Sequence, residues 1–380
     1  MSENNLNIQM VDLKSQYMKI KPQVDQAIND VLSSTQFING EHVKSFQNEL
    51  AAYLGVKHVI TCANGTDALQ ISMMALGLKP GDEIITPSFT YIATTEVIGL
   101  LGLKPVFVDC DPENFNISVD EVEKAITKKT KAIVPVHLFG QSSDMKSIMS
   151  LAKKYNLFVI EDNAQAIGSD YLGFNQPQKT GTIGNIGCTS FFPSKNLGCF
   201  GDGGAMMTND DELAEKLRMI ANHGQSKRYY HDIVGCNSRL DNIQAAVLRI
   251  KLKELDQYIL NRQKAANYYD QNLKDLDQLT LPYRNLDSNH VFHQYTLKLD
   301  DYILRDELIQ YLADKNIPAM VYYPVPAHRQ KMFSKIPNSY GNMKVTNWLS
   351  SRVFSLPMHT ELSTVQQDYI IENISNFLNK

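Results

Sequence analysis

The stretch HVITCANGTDALQISMMALGLKPGDEIIT, residues 58–86, contains the repeating unit of the fold. Its apolar run His58 to Cys62 predicts a strand, Thr66 to Leu78 predicts a helix, and Glu83 to Thr86 predicts a second strand. The turn residues Lys79-Pro80-Gly81-Asp82 separate the helix from the second strand. This order is typical of two parallel strands joined by a helix that covers the sheet.

The same alternation continues beyond residue 86. Short apolar runs that predict strands are Pro105 to Asp109, Ala132 to Leu138 and Leu157 to Ile160. Segments with helical character between or beside them are Val119 to Ile126 and Met145 to Tyr155. Strands that alternate with helices predict an α/β fold with a mostly parallel sheet in the first two thirds of the chain.

A change of pattern near residue 255 predicts two domains. Ile243, Val247 and Ile250 form one apolar face of a long helix, after which short helical and strand-like segments mix. We therefore predict a large α/β domain over residues 1–255 and a smaller C-terminal α+β domain over residues 256–380.

Composition excludes several classes of protein. The 380 residues are 43% hydrophobic and 21% charged, with a net charge of -4. The protein therefore has no overall positive electrostatic potential that would attract nucleic acid or anionic lipid. Five cysteines without C-x-x-C spacing argue against a disulfide framework and a structural zinc site, and we expect no metal. Neither a signal peptide nor an apolar run of about 18 residues is present, so we expect a cytoplasmic protein without membrane association.

Ligands of parallel sheets collect beyond the carboxyl ends of the strands, and three segments there carry candidate residues. The first is Ala63-Asn64-Gly65-Thr66-Asp67, between a strand and a helix. Free backbone N–H groups and the helix dipole favour an anion such as phosphate at Gly65 and Thr66. A tight turn with an ordinary helix cap would explain the same residues, so this segment alone does not distinguish a phosphate site from a capped turn.

The second segment is Glu161-Asp162-Asn163-Ala164-Gln165, where an apolar strand ends in two carboxylates. An aspartate at this place can pair with the protonated ring nitrogen of pyridoxal phosphate (PLP) and keep the ring an effective electron sink. The alternative is an aspartate that caps the following helix.

The third segment is Thr189-Ser190-Phe191-Phe192-Pro193-Ser194-Lys195-Asn196-Leu197-Gly198, followed by Gly201-Asp202-Gly203-Gly204. Most lysines are solvated surface groups, but small and apolar residues surround Lys195. A sheltered lysine amine with a lowered pKa can bond covalently to an aldehyde cofactor. A phosphate turn, a strand-end aspartate and a sheltered lysine in this order are together what PLP requires.

Several further blocks occur in a recognisable order with these three segments. They are NGTDAL, PGDEIITPSFTYIAT, PVFVD, IVPVHLFGQ, VIEDNAQAIG, TSFFPSKNLGCFGDGGA, HGQ and NSRLDNIQAA. In these blocks the chain resembles the nucleotide-sugar aminotransferase family of the aspartate-aminotransferase superfamily (fold type I). The resemblance extends from Val11 to His359.

The resemblance implies specific roles in binding PLP. Lys195 is the lysine that bonds to the cofactor, Asp162 pairs with the pyridinium nitrogen, Gln165 lies near the cofactor hydroxyl and Tyr91 stacks on the ring. Residues expected to hold the phosphate are Gly65, Thr66 and Ser190, with Asn237 from a second subunit.

The resemblance also implies a homodimer with shared active sites. Arg239 is a substrate contact from the same partner loop as Asn237, and Tyr322 and Tyr323 are further substrate residues. From the residues alone, Asn237 and Arg239 would equally fit a polar turn before a helix.

The substrates implied are a nucleotide-linked keto sugar and glutamate, in the biosynthesis of surface polysaccharide such as the O-antigen of lipopolysaccharide. The NGTDAL block, the lysine block and His223-Gly224-Gln225 most resemble enzymes that aminate UDP-2-acetamido-2-deoxy-3-oxo-glucuronate at C3. Tyr322 stands where a histidine is expected, which leaves a dTDP-linked 3-oxo-6-deoxyhexose as the alternative. A PLP-dependent sugar dehydratase is disfavoured because it would carry histidine at position 195, and a silent family member remains a third hypothesis.

Overall fold

The structure is a computed structural model that describes residues 6–379. The helices are α1 Leu13–Ser34, α2 Glu41–Leu54, α3 Gly65–Ala75, α4 Ala93–Leu100, α5 Val119–Ala125, α6 Met145–Tyr155, α7 Asp211–Ala221, α8 Asn242–Lys253, α9 Leu255–Leu273, α10 Arg305–Asp314, α11 Lys344–Arg352 and α12 Thr364–Leu378. The strands are β1 His58–Cys62, β2 Glu83–Pro87, β3 Lys104–Val108, β4 Thr130–Ile133, β5 Phe158–Asp162, β6 Asp170–Tyr171, β7 Gln178–Lys179, β8 Ile186–Ser190, β9 Gly204–Thr208, β10 Gln225–Lys227, β11 Tyr230–His231, β12 Leu279–Thr280, β13 Tyr295–Leu299, β14 Ser339–Tyr340 and β15 Val353–Leu356.

Eight strands form the central sheet in the order β1-β9-β8-β5-β4-β2-β3-β14. The pairs β8–β5, β5–β4, β4–β2, β2–β3 and β3–β14 are parallel, and only β9 runs antiparallel to its two neighbours. Buried apolar side chains of the sheet pack against helices such as α3 and α7. The α/β fold with a mostly parallel sheet is therefore confirmed.

Local sequence signals set several element boundaries. Helix α6 begins after Asp144, whose carboxylate accepts a hydrogen bond from the N–H of Ser147, and ends at Asn156, which is left-handed. Its predicted bounds are therefore observed. The predicted strand from Ala132 to Leu138 is continuous only to Ile133, because Pro135 has no N–H to donate to a neighbouring strand, although Val136 still forms a parallel bridge with Asp162.

A second core lies in the C-terminal part, where β12, β13 and β15 form an antiparallel sheet. Apolar side chains of α9, α10 and α12 pack against it. Two segments cross the predicted boundary at residue 255: Ile8 packs into this second core, and β14 joins the central sheet. The division at residue 255 stays a prediction.

The five cysteines, at positions 62, 110, 188, 199 and 236, are all unpaired thiols. None of the helices found between residues 6 and 379 has the length and apolar character needed to cross a membrane.

Candidate active site

A cavity of about 800 Å³ opens beside the carboxyl ends of β2, β5 and β8. The predicted site residues that line it are Gly65, Thr66, Tyr91, Asp162, Gln165, Ser190, Lys195, Tyr322 and Tyr323. The structure thus brings together residues that lie up to 258 positions apart in the sequence, because parallel strands present their carboxyl ends at one edge of the sheet.

Lys195 lies in the loop after β8 and is partly exposed to the cavity that it lines. Its backbone N–H donates to the carbonyl of Phe192 at 2.8 Å, which tightens the loop. Burial lowers the pKa of the Lys195 ammonium to about 8, although the Asp162 carboxylate opposes this shift. A larger share of the amine is therefore neutral and nucleophilic near neutral pH than for a solvated lysine.

Asp162 is the last residue of β5 and is 5% exposed. Its Oδ2 accepts a hydrogen bond of 2.7 Å from the Thr94 hydroxyl, and its Oδ1 accepts one of 3.1 Å from the N–H of Ala164. Hydrogen bonds to a carboxylate are charge-assisted and fix its orientation. The carboxylate is thereby held at the floor of the cavity.

The neighbouring residue in β5, Glu161, is completely buried and points to the other side of the strand. Its carboxylate accepts hydrogen bonds from Nε2 of His137 at 2.9 Å and from the N–H groups of Gly181, Ile183 and Gly184 at 2.8, 2.7 and 2.6 Å. Four donors balance the cost of burying this charge and tie the end of β5 to the turn after β7.

The start of α3 forms a cradle for an anion. The Asn64 side chain caps the helix by accepting from the N–H of Asp67 at 2.8 Å, which leaves the first-turn N–H groups of Gly65 and Thr66 without intrahelical partners. A Cβ atom at Gly65 would lie 2.7 Å from Cβ of Ser190. Only glycine lets the helix start approach the Ser190 hydroxyl so closely, so this position fits a phosphate.

Gln165 and two tyrosines form one wall. The Gln165 side chain accepts from the N–H of Phe139 at 2.7 Å and donates to the Tyr323 hydroxyl at 3.0 Å. The half-exposed Tyr91 ring has its centroid 6.1 Å from that of Tyr323. Tyr91 also lines the cavity, so its ring could stack on that of a bound cofactor.

Sequence reasoning missed three residues of the site. Thr94 fixes Asp162, and His293 and Gln294 line the cavity from the C-terminal part of the chain. Thr94 could have been noticed as a hydroxyl three residues after Tyr91, at the start of a helix. Nothing in the local sequence marks His293 or Gln294.

Asn237 and Arg239 do not line the cavity of their own chain. The residue between them, Ser238, is fully buried, accepts from the N–H of Ala63 at 3.0 Å and donates to the Asp67 carboxylate at 2.6 Å. The segment is therefore anchored behind the phosphate cradle, while Asn237 is exposed and Arg239 partly exposed. That Asn237 and Arg239 contribute to the active site of a second subunit stays a prediction.

The donor set fits PLP. Gly65, Thr66 and Ser190 could hold the phosphate, Asp162 the ring nitrogen, and the amine of Lys195 the aldehyde carbon. When bound, PLP supplies an electron sink for the negative charge that develops on the reacting carbon. The fold and the site define a PLP-dependent aminotransferase of fold type I.

The chain belongs to the DegT/DnrJ/EryC1/StrS aminotransferase family, whose sequence profile matches residues 18–375. The pleiotropic regulatory protein of Geobacillus stearothermophilus is 45% identical over 374 residues, 98% of this chain and 99% of that protein. UDP-2-acetamido-2-deoxy-3-oxo-D-glucuronate aminotransferase of Pseudomonas aeruginosa is 44% identical over 369 residues, 97% of this chain and 100% of that enzyme. UDP-N-acetyl-3-dehydro-alpha-D-glucosamine 3-aminotransferase of Acidithiobacillus ferrooxidans is 44% identical over 362 residues, 95% of each chain.

Solved structures agree with the family. An aminotransferase of this family from Brucella abortus matches with a TM-score of 0.92 and 40% identity, covering 98% of this chain and 100% of that chain. NtdA of Bacillus subtilis, solved with the bound cofactor PMP, matches with a TM-score of 0.89 and 30% identity, covering 100% and 87%. Transaminases named for dTDP- and GDP-linked sugars also match, so the chain is a sugar aminotransferase whose sugar these comparisons do not fix.

Proposed function

We propose that this enzyme transfers the amino group of glutamate to C3 of UDP-2-acetamido-2-deoxy-3-oxo-glucuronate, in the biosynthesis of a surface polysaccharide such as O-antigen. The observation that supports the transfer chemistry is that Lys195 and Asp162 line the same cavity. The position of amination is supported by the two relatives at 44% identity, which are both named for UDP-linked sugars oxidised at C3.

Lys195 has two roles in this proposal. Its amine would hold PLP at the aldehyde carbon and, when free, would accept a proton from the reacting carbon and return it. Asp162 would keep the ring nitrogen of bound PLP protonated, and the Thr94 hydroxyl holds that carboxylate in place. The lowered pKa of Lys195, about 8, suits a group that both accepts and returns a proton.

The charge of the cavity supports a second subunit in the site. Lys195 is the only lysine or arginine among the described residues that line the cavity, whereas Asp67, Asp162 and Asp202 are acidic. A UDP-linked uronate brings a diphosphate and a carboxylate, which need cationic or N–H partners. We therefore propose a cytoplasmic homodimer in which Asn237 and Arg239 of one subunit serve the other subunit's cavity.

A second candidate is a dTDP-linked 3-oxo-6-deoxyhexose, and Tyr322 favours it. Burial raises the pKa of the Tyr322 hydroxyl, so this residue offers a neutral partner rather than a cation to the C5 substituent. The C5 substituent of a 6-deoxyhexose is a methyl group, which is uncharged and needs no cationic partner. The two candidate substrates therefore differ in whether Arg239 must contact the C5 substituent of the sugar.

A regulatory protein without activity and a sugar dehydratase are the remaining alternatives. One relative, 45% identical to this chain, is named as a regulatory protein, which is a specific reason to consider the first alternative. The cavity nevertheless contains Lys195, Asp162, Gln165 and Ser190 together, and a silent scaffold needs none of them. Lysine at position 195 also disfavours the dehydratase.

The test is a two-step assay on the purified holoenzyme with Lys195→Ala as control. Glutamate alone should change the cofactor absorption spectrum, because the amino group moves to the cofactor. Product mass is then measured with UDP-2-acetamido-2-deoxy-3-oxo-glucuronate, its neutral counterpart with a hydroxymethyl group at C5, and a dTDP-linked 3-oxo-6-deoxyhexose. Amination of the uronate at the highest kcat/KM supports the proposal, and a preference for the deoxyhexose overturns it.

A further inference from the structure

We propose that Arg262 is a positioning residue, which holds a left-handed backbone turn at Phe292 from behind and thereby places His293 and Gln294 in the wall of the active-site cavity. Arg262 belongs to α9 and does not itself line the cavity. The inference does not depend on which sugar the enzyme aminates.

The contacts of Arg262 are all with backbone carbonyls. The side chain is 2% exposed, and its Nη1 donates to the carbonyls of Phe292 at 3.1 Å, Met358 at 3.0 Å and His293 at 3.5 Å. No carboxylate in the described part of the chain forms an ion pair with it. Burial lowers the pKa of the guanidinium to about 10, so it stays charged at neutral pH.

A buried cation without a carboxylate is costly, so this arrangement needs a compensating role. The three carbonyls belong to two segments that lie more than 60 residues apart, one before β13 and one after β15. All three bonds come from Nη1, whose position is fixed by the planar guanidinium, whereas a lysine ammonium lies at the end of a flexible stem. Arg262 therefore cross-links the two segments through one rigidly held nitrogen.

The backbone that Arg262 holds is strained. Phe292 has φ of +47°, in the left-handed region that bulky side chains rarely adopt. Such a conformation is maintained only where several surrounding contacts hold it in place. Here the N–H of Phe292 donates to Nδ1 of His290 at 3.0 Å, the two rings stack with centroids 3.9 Å apart, and Arg262 binds the carbonyl.

The turn at Phe292 directs the next two residues into the site. The side chains of His293 and Gln294 line the cavity opposite the strand ends, and the N–H of Gln294 donates to the carbonyl of Phe139 at 3.3 Å. On the other side, the Asn196 side chain donates to the carbonyl of Val291 at 3.0 Å. Because Asn196 follows Lys195, the segment that Arg262 holds is joined directly to the lysine loop.

The test compares Arg262→Lys and Arg262→Met with Arg249→Lys, a control arginine of α8 whose partner is Glu49 and which lies away from the segment. The first measurement is the NMR titration of the Lys195 amine, labelled by reductive methylation, in the apoprotein. If Arg262 positions the wall, Lys195 becomes less buried in both Arg262 variants and its titration midpoint rises by about one pH unit or more. The control should keep the wild-type midpoint.

The second measurement is the half-reaction of the holoenzyme with glutamate. We expect the apparent Kd for glutamate to rise about tenfold in Arg262→Lys while the maximal rate of the half-reaction changes less than about threefold, because binding geometry is lost but the reacting groups remain. A purely structural arginine would lower only the thermal unfolding midpoint in its variants and leave both the apparent Kd for glutamate and the Lys195 titration midpoint unchanged. That result overturns the proposal, and Arg262→Lys allows the test even if Arg262→Met does not fold.

Discussion

The hydroxyl of Thr94 donates a hydrogen bond of 2.7 Å to Oδ2 of Asp162, although the two residues are 68 positions apart in the sequence. Thr94 is the second residue of α4, and Asp162 is the last of β5. Both side chains are buried, so this bond is shielded from water. It joins the helix that follows the candidate stacking residue Tyr91 to the carboxylate proposed to face the ring nitrogen.

Removing the charge of Asp162 should cripple the reaction without releasing the cofactor. An amide in Asp162→Asn cannot keep the ring nitrogen protonated as a carboxylate does, so we expect kcat to fall on the order of a hundredfold or more. PLP should still be bound, as seen in the absorption spectrum. Wild-type activity in this variant would mean that another carboxylate has this role.

Thr94→Val should give a smaller loss, because it removes one hydrogen bond and keeps the charge. We expect kcat to fall roughly three- to tenfold, as for a single bond to a charged group. Thr95→Val is the matched control, since the Thr95 hydroxyl donates to the carbonyl of Ile92 in the same helix and not to Asp162. Equal losses in the two variants would point to a general effect on α4.

Lys195→Ala should abolish transamination and leave the fold intact, because no other lysine or arginine among the described lining residues can replace its amine. Turnover, the cofactor spectrum and circular dichroism check this. Lys179→Ala, which removes a lysine bound to Asp170 outside the cavity, should keep its activity. Substantial turnover by Lys195→Ala would exclude the lysine from the mechanism.

The stability of the apoprotein should depend on Lys195 in a defined pH window. Burial lowers the pKa of this lysine from 10.5 to about 8, so between these values the unfolded chain binds more protons than the folded one, and stability rises with pH. The apoprotein of Lys195→Met should therefore be more stable than the wild type at pH 7, and the difference should shrink towards pH 10.5. Urea unfolding of both apoproteins measures it, and a difference that does not change with pH contradicts the expected pKa.

Shared active sites predict complementation between subunits. Lys195→Ala and the double variant Asn237→Ala/Arg239→Ala should each be inactive or weak alone, but a hybrid contains one site with every wild-type group. We expect activity to recover on mixing once subunits have exchanged, which differently tagged subunits can verify. No recovery after proven exchange would place Asn237 and Arg239 in their own subunit's function.

Arg239 should discriminate between acidic and neutral sugars if it binds the C5 carboxylate. A charge-assisted bidentate contact contributes about 1.5–3 kcal/mol, so Arg239→Ala should lower kcat/KM roughly ten- to a hundredfold for the uronate and far less for a 6-deoxy sugar. Equal losses on both would indicate that Arg239 contacts the diphosphate or the amino donor.

Much of the fold could be predicted because its signals are local. The apolar run His58 to Cys62 and the capped helix Met145–Tyr155 lie where their patterns place them, since hydrophobic period and end residues act within a few positions. The strand that was predicted through Leu138 ends at Ile133, because Pro135 lacks the N–H that would continue the hydrogen-bonded ladder even though the sequence stays apolar. Strand β14 was not predicted, since two residues carry no periodicity and pair with β3 only through the tertiary fold.

Local sequence patterns were enough to identify residues that could carry the chemistry: a sheltered Lys195, a strand-end Asp162 and the glycine cradle at Gly65. The packed fold was needed to bring them into one cavity, to place Thr94 against Asp162 and to place Arg262 against the backbone before His293. The two kinds of information differ because the interactions behind them act over different distances along the chain. Propensity, capping and hydrophobic period act between neighbours along the chain, whereas a cavity is formed by contacts between distant segments that only the packed sheet and its covering helices bring together.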